Sequence, residues 1–445
     1  MVTGYVYSSW GNNQGRYRSV FIPKTSASAI LPDESYLAYG NGRSYGDTCL
    51  PAGDTIIDTR AMKSVLKFDQ QNGILRAEAG ISLSEILDII IPHGWFLPVT
   101  PGTSAVTLAG ATANDVHGKN HHIAGTFGRF VRSLELLRSH AGRMVCSPTS
   151  NQEMFAATIG GMGLTGLITW VEISLMPVHS PDVEVIAKRF ANLDSFFAQE
   201  QNDDAGFTYS VAWIDGFARG ASFGRGLILL GNHAGRPESG AMPAAVRRKL
   251  RIPVPLTAPC NVVFPPALRL LNELYFRQNG NKRRVSCDKF FYPLDTVSSW
   301  NRLYGPRGFR QFQCVVPSAT ARNAITDLLT QAHTLAGGSG LAVLKKFGGH
   351  ISPGLLSFPR PGYTLTLDFP NQGDATDQLF HTLNKIAIDA GGRINPYKDS
   401  SLTTSVFQAS FPEWRRILPY LDSNAESRFS RRLGITGAPA NTCAV

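Results

Sequence analysis

Three separate runs of glycine and other small residues, all within the first 180 positions, constrain this 445-residue chain more than any other feature. They are YGNGRSYGD (39–47), VTPGTSAVTLAGATANDVHGKNHH (99–122) and ATIGGMGLTGLITWVEI (157–173). Glycines cluster where a backbone turns sharply or must come close to something else. One run reads equally well as a turn. Three in one stretch imply a long surface of accessible backbone, suited to a large flat ligand carrying a diphosphate. The first run is not a Rossmann fingerprint, because Tyr45 stands where G-x-G-x-x-G needs its third glycine. The TCLPAGD that follows is a loop, not the helix such a turn opens. Successive N–H groups in this spacing still form a concavity for phosphate oxygens, and Arg43 adds a fixed positive charge.

The length predicts more than one domain. Residues 1–180 alternate short strands (SYLAYG, DTIIDT, GILRAEAG, GLITWVEISLMPV) with glycine turns and one helix, SLSEILDIIIPHG, ended by Pro92. From 181 to 392, strands such as FTYSVAWID, RQFQCVVP and GYTLTLDFP alternate with helices such as ATARNAITDLLTQAHTLA and DATDQLFHTLNKIAIDAGG. That order points to an α+β fold with an antiparallel sheet in the second domain. Residues 393–445 read as a helical, basic segment returning to the first domain.

The net charge of +10 is concentrated between Arg247 and Arg284, where nine Lys/Arg (Arg247, Arg248, Lys249, Arg251, Arg269, Arg277, Lys282, Arg283, Arg284) face one acid, Glu273. The same segment holds the apolar helix ALRLLNELYF. It reads either as a solvated loop or as a surface that docks on an anionic membrane. Nucleic acid is disfavoured, since no recognised nucleic-acid module surrounds the patch. Six scattered cysteines without a C-x-x-C pair argue against a zinc ribbon or a disulfide scaffold. The N-terminal stretch lacks the pattern of a secretory signal, and no apolar run approaches the roughly 18 residues that cross a bilayer. The expectation is a protein that is cytoplasmic or peripheral at the inner membrane.

The small-residue runs also carry an ordered pattern: G-x-G-R-S-Y-G-D, then D-x-H-G-K-N-H-H, then T-x-G-G-x-G-L-T-G. Together with SVAWID, FFYPLD, YGPRGFRQFQ, VLKKFG, LSFPRPGY and KDSSLT, they make the chain resemble the vanillyl-alcohol-oxidase/PCMH superfamily of FAD-linked oxidases over essentially its whole length. The resemblance implies a PCMH-type FAD-binding domain followed by an α+β substrate domain. It implies FAD contacts from Gly40, Asn41, Gly42, Arg43, Ser44, Tyr45, Gly46 and Asp47, from Gly102, Thr107, Leu108, Ala109, Gly110, Asn114, Asp115, Val116 and His117, and from Ile168. Many relatives attach FAD through a histidine of the first glycine loop. Here that loop has no histidine, and no cysteine before Cys49, so the FAD is expected to be non-covalent.

His117, His121 and His122 admit three readings: metal ligands, acid/base groups, or a turn in which they satisfy buried backbone groups. Gly118 disfavours a helical i, i+4 pair, and no carboxylate or thiolate lies close in sequence, so no metal site is expected. The resemblance instead turns His117 and Lys119 toward the substrate. Oxidising a secondary alcohol requires a proton acceptor for the hydroxyl and positive charge beside the hydride acceptor. Lys398, Tyr45, His117 and Lys119 are the catalytic candidates by resemblance, with Lys398 and His117 both open as the base. Paired with Asp399, Lys398 reads alternatively as a surface lysine. Trp213, Gln311, Gln313, Lys345, Thr364 and Thr366 would line the sugar side. There are departures from the pattern of the resembled family: Thr364 and Thr366 stand where a relative has an asparagine and a cysteine, and Asn395 where it has a tyrosine.

What the resemblance implies is oxidation of the 2-hydroxyl of a polyprenyl-phosphate pentose, half of an epimerisation serving cell-wall polysaccharide. A separate NAD(P)H-dependent reductase would complete it. A soluble sugar or alditol oxidase of the same superfamily is the alternative. A basic binding module without redox activity is the reading from another class.

Overall fold

In the strand Phe309–Val316, Phe312, Cys314 and Val316 alternate with Gln311 and Gln313, and this period of two decides how the largest sheet is used. The apolar set joins Leu365, Leu367, Leu344 and Ile214 of neighbouring strands in one core. Helices Ser318–Ala336 and Asp374–Asp389 cover that face, contributing Ile325, Leu328, Leu329, Leu379, Phe380 and Leu383. The polar set is left for the opposite face. The computed structural model describes residues 4–203, 206–236, 252–277, 280–398 and 401–437. Arg247, Arg248, Lys249, Arg251, Asp399 and Cys443 therefore lie outside the described residues.

The sheet has eight antiparallel strands in the order Gly280–Val285, Val183–Phe190, Gly226–His233, Tyr209–Ile214, Ala342–Phe347, Gly362–Pro370, Phe309–Val316 and Arg393–Ile394. Its register aligns Trp213 with Val343, Val343 with Thr366, and Thr366 with Gln313, a row across four strands. Lys345 pairs with Thr364 on the same face, and Gln311 with Asp368.

The first part of the chain forms a five-stranded antiparallel sheet (order Gly142–Cys146, Val131–Arg138, Leu167–Ser174, Ile74–Glu78, Val65–Asp69) and a three-stranded parallel one (Ser19–Phe21, Thr55–Asp58, Tyr36–Tyr39). Helix Leu83–Ile90 starts on a capping box, Ser82 with Glu85, and Pro92 falls in the 3-10 turn that ends it. No helix among the described residues is long and apolar enough to cross a membrane.

Residues beyond 400 form short helices at Thr404–Ser410 and Arg428–Arg432 and a 3-10 segment at Trp414–Tyr420. They fold back onto the N-terminal sheets: Tyr36 N donates to Asn424 O at 2.8 Å, and Glu426 N to Tyr36 O at 2.8 Å. Asp422 accepts from Ser139 N at 2.7 Å and Ser139 Oγ at 2.6 Å. Arg432 forks onto buried Asp47 (Nε to Oδ2 3.0 Å, Nη2 to Oδ1 3.1 Å), the last residue of the first glycine run. Removing the guanidinium would leave a buried carboxylate without its charge partner. Arg432→Met should lower unfolding free energy by about 2–4 kcal/mol, less than the loss for a fully enclosed pair because Arg432 is partly exposed. A denaturant titration checks this, and an unchanged midpoint would mean the pair holds nothing.

Candidate active site

The polar face of the large sheet and the small-residue runs enclose a cavity of about 590 Å³. Gly40, Asn41, Gly42, Arg43, Ser44 and Tyr45 line it from the first run. The second run supplies Gly102, Thr107, Ala109, Gly110, Asn114, Val116, His117 and Lys119, and the third supplies Gly163, Gly166 and Ile168. The sheet supplies Trp213, Gln311, Gln313, Lys345 and Thr366, and the turn after Arg393–Ile394 supplies Asn395, Tyr397 and Lys398. The runs touch only because they lack side chains. A Cβ on Gly40 would lie 2.5 Å from Thr107 Oγ1, the hydroxyl that accepts from Gly110 N and caps helix Leu108–Ala113. Gly42 has φ of +57°, a left-handed conformation that favours glycine.

Five expected site residues stand behind this wall rather than on it. Gly46 and Asp47 are buried, with Asp47 turned to Arg432. Leu108 packs in the core under the five-stranded sheet. Asp115 is buried among donors, accepting from Gly128 N at 2.7 Å and from the hydroxyls of Ser352 and Ser357. Thr364 is fully buried, and its hydroxyl accepts from Gln313 Nε2 at 3.1 Å. The histidines separate as well. His122 Nε2 meets Phe207 O at 3.2 Å, as a turn-forming histidine should. Among the described residues His121 satisfies no backbone group and neither ring nitrogen has a partner; the ring lies on Phe347 at 4.1 Å. Among the described residues no cluster of His, Cys, Asp or Glu is placed to hold a metal ion.

Positive charge dominates the cavity. Burial pushes the Lys398 ammonium down to about 7, with Asp368 opposing and Lys345 adding to the fall. Burial lowers Lys345 to about 8 and, with Lys345 nearby, Lys119 to about 7. Lys398 Nζ lies 3.9 Å from the Tyr45 ring centroid, and Tyr45 N donates to Tyr397 O at 2.9 Å, so first run and final turn are joined. Lys119 Nζ donates to Phe290 O and lies 4.5 Å from the Phe290 ring centroid. Asp295, the one carboxylate among the lining residues, is already held by Ser104 N at 2.8 Å and Ser104 Oγ at 3.0 Å. Asp368 lies behind the wall, raised by burial to about 7 and hydrogen-bonded by Gln311.

A chain of hydrogen bonds fixes the state of His117. Tyr397 N, which can only donate, reaches Asn395 Oδ1 at 3.0 Å. Asn395 Nδ2 therefore donates to Gln313 Oε1 at 2.8 Å. The Gln313 amide nitrogen is thereby turned to Thr364 Oγ1 and, at 3.2 Å, to His117 Nε2. His117 Nε2 must accept, so the neutral ring carries its proton on Nδ1. Burial, reinforced by Lys345, His121 and Lys398, holds the imidazole well below its ordinary range.

Accessible glycine backbone, an excess of cations and the buried, unpartnered Thr48 Oγ1 in the lining fit a large anionic cofactor. Residues 32–147 match the family model described as FAD binding domain. The chain is 34% identical over 436 residues, 93% of its length and 92% of the relative's, to decaprenylphosphoryl-beta-D-ribose oxidase of Mycolicibacterium smegmatis. It is 28% identical to L-gulonolactone oxidase of Bos taurus over 40% of this chain and 42% of that one, and 25% identical to Delta(24)-sterol reductase of Rattus norvegicus over 26% and 22%.

The chain belongs to the decaprenylphosphoryl-beta-D-ribose oxidase family of FAD-linked oxidases. It is an FAD-dependent oxidoreductase with an α+β fold. Within this family member, Trp10, Thr48, Tyr275 and Asn395 line the cavity without having been singled out as contacts by their motifs. Asn395 is marked in the sequence only as a departure, and Tyr275 only by its place in an apolar helix.

The amide chain has a spectroscopic consequence. In holoenzyme labelled with 15N-histidine, His117 Nε2 should resonate as an unprotonated nitrogen and Nδ1 as a protonated one, without titrating across neutral pH. Asn395→Ala releases the Gln313 amide and should give a mixture of tautomers. A single Nε2–H form in the unsubstituted protein would refute the assignment.

Proposed function

We propose that this enzyme oxidises the 2-hydroxyl of a polyprenyl-phosphate pentose, of the decaprenylphosphoryl-ribose type, to the 2-keto sugar. A separate NAD(P)H-dependent reductase would then complete the epimerisation. The named substrate of the 34%-identical relative supports this reading. The observation that carries it is Lys398 Nζ over the Tyr45 ring, in the same cavity as Lys345 and Gln313. We assign FAD binding to residues 1–180 and sugar binding to 181–392, with 393–445 as the segment that returns to the FAD domain.

FAD, when bound, would supply the two-electron acceptor for oxidation of the alcohol carbon. The backbone of Gly40–Tyr45 and Thr107–Gly110, with Asn114, Val116 and Ile168, would hold it. Lys398 takes the hydroxyl proton as the C–H bond breaks. Its lowered pKa keeps a useful neutral fraction near pH 7, where an ordinary lysine is almost wholly protonated. His117 is the weaker base, because its acceptor nitrogen is already occupied by the Gln313 amide. Lys345, lowered less than Lys119 and Lys398, keeps more of its positive charge near neutrality and supplies it toward the sugar phosphate and the charge that develops during oxidation. Gln311, Gln313, Thr366 and Trp213 orient the pentose.

Anaerobic mixing with a polyprenyl-phosphate ribose should bleach the visible flavin bands, while free ribose and alditols leave them. Bleaching by the free sugars alone would favour a soluble sugar oxidase. After acid precipitation the flavin should pass to the supernatant; retention in the pellet would show a covalent link.

The sign of the pH dependence follows from Lys398 acting in its neutral form. Below about 7 it is protonated and cannot accept, so kcat/KM should rise with pH through a limb near 7. Lys398→Met should remove that limb and lower kcat by about 10²–10⁴-fold. A limb that survives in the variant would assign it to another group.

A further inference from the structure

Helix Pro265–Phe276 is built inside out. Its buried position is polar: Asn272 donates to Asp215 Oδ1 at 2.9 Å, and neighbouring Glu273 accepts from Arg225 Nη2 at 2.7 Å. Arg225 in turn forks onto Asp215. Three of its four leucines face outward, Leu270 64%, Leu271 59% and Leu274 55% exposed, while Leu268 turns inward beside Gly340. Ile252, Leu256 and Phe264, earlier in the same segment, are exposed too. A helix of a soluble fold buries its apolar stripe; this one is held by its polar face and presents the stripe.

Charge and position say what the stripe meets. In the structure Lys282 pairs with Glu184, Arg284 with Asp182 and Arg277 with Glu273, so the described part of the basic segment is less cationic than its sequence. Arg269 and Arg283 remain exposed without an ion pair among the described residues. The chain entering Ile252 brings Arg251, Lys249, Arg248 and Arg247 in sequence. Tyr275, on the same helix, stacks edge-on against Trp213 at 4.9 Å, and both line the active-site cavity.

We infer that the outer face of helix Pro265–Phe276 docks in the headgroup region of an anionic lipid bilayer, seating the cavity mouth against it. Leucines enter the acyl boundary and the flanking cations meet lipid phosphates. A polyprenyl tail then stays in the bilayer while its phosphate sugar reaches Lys345 and Lys398. The inference deepens the lipid-borne-substrate reading and rests on it.

Flotation of the full-length holoenzyme with vesicles tests it. Binding is expected to phosphatidylcholine vesicles containing phosphatidylglycerol, weakening with salt, and less to phosphatidylcholine alone. The variant Leu270→Ser/Leu271→Ser/Leu274→Ser should lose about tenfold or more in partitioning. Turnover of a short-chain, water-soluble sugar phosphate should be unchanged in that variant, which also shows that it folds. Arg269→Glu/Arg283→Glu should weaken binding to anionic vesicles only. Wild-type protein left in the aqueous fraction, or a leucine variant that floats as well, overturns the docking. A dimer that dissociates in the leucine variant, without vesicle binding, assigns the face to self-association instead and also overturns it. Oxidation of polyprenyl-phosphate sugar without vesicle binding sinks the docking and leaves the substrate reading. Leucine-dependent binding without such oxidation sinks the substrate reading alone.

Discussion

Three lysines share one cavity, and much of the surrounding architecture can be understood from the cost of placing them there. Ammonium groups withdrawn from water are driven toward their neutral forms, as at Lys119, Lys345 and Lys398, unless negative charge joins them. The wall offers little, since Asp295 is engaged by Ser104 and Asp368 is itself raised by burial. The diphosphate of a bound FAD would supply part of the balance. With its ammonium lowered to about 7, Lys398 is set where it can give and take a proton near neutrality.

Holding that field in place falls to two unlike devices. On one side a sheet, gripped by helices through its apolar face, turns strand register into spacing along its polar face: Trp213, Val343, Thr366 and Gln313 fall in line because their strands pair that way. A one-residue slip in any of these strands would exchange the lining for the core. On the other side the wall is backbone, shaped by glycine and capped hydroxyls such as Thr107. The Tyr45 N–Tyr397 O bond and the Asp47–Arg432 fork tie this second wall to the turn that carries Lys398. The final turn and the segment after it thus determine how the first glycine run meets Lys398.

Much of this was legible in the sequence. The strands at 55–58, 209–214, 309–316 and 362–370 and the helices at 318–336 and 374–389 announce themselves by period, and the three small-residue runs do converge. Motif membership did not separate wall from support. Asp47, Leu108, Asp115 and Thr364 lie in the same runs as true lining residues, but which way each points depends on a tertiary partner distant in sequence: Arg432, the N-terminal core, Ser352 with Ser357, and Gln313. The charge count of the basic segment misled for the same reason, since Glu184 and Asp182 neutralise part of it from another strand. His121 could not have been assigned from spacing; only Phe347, supplied by a strand more than two hundred residues later, explains its position.

The three departures from the family pattern, at 364, 366 and 395, surround one side chain, Gln313. Thr364 takes one N–H of Gln313, Asn395 holds its carbonyl oxygen, and Thr366 is its cross-strand neighbour. A tyrosine at 395 would have no amide to donate to Gln313 while accepting from Tyr397 N. An asparagine at 364 would itself offer both donor and acceptor, leaving the glutamine free to present either end to His117. In this chain the choice is made: a backbone N–H, through two amides, sets the imidazole as an acceptor. Changes at Thr364, Thr366 and Asn395 therefore act as one unit, through the orientation of the Gln313 amide that faces His117.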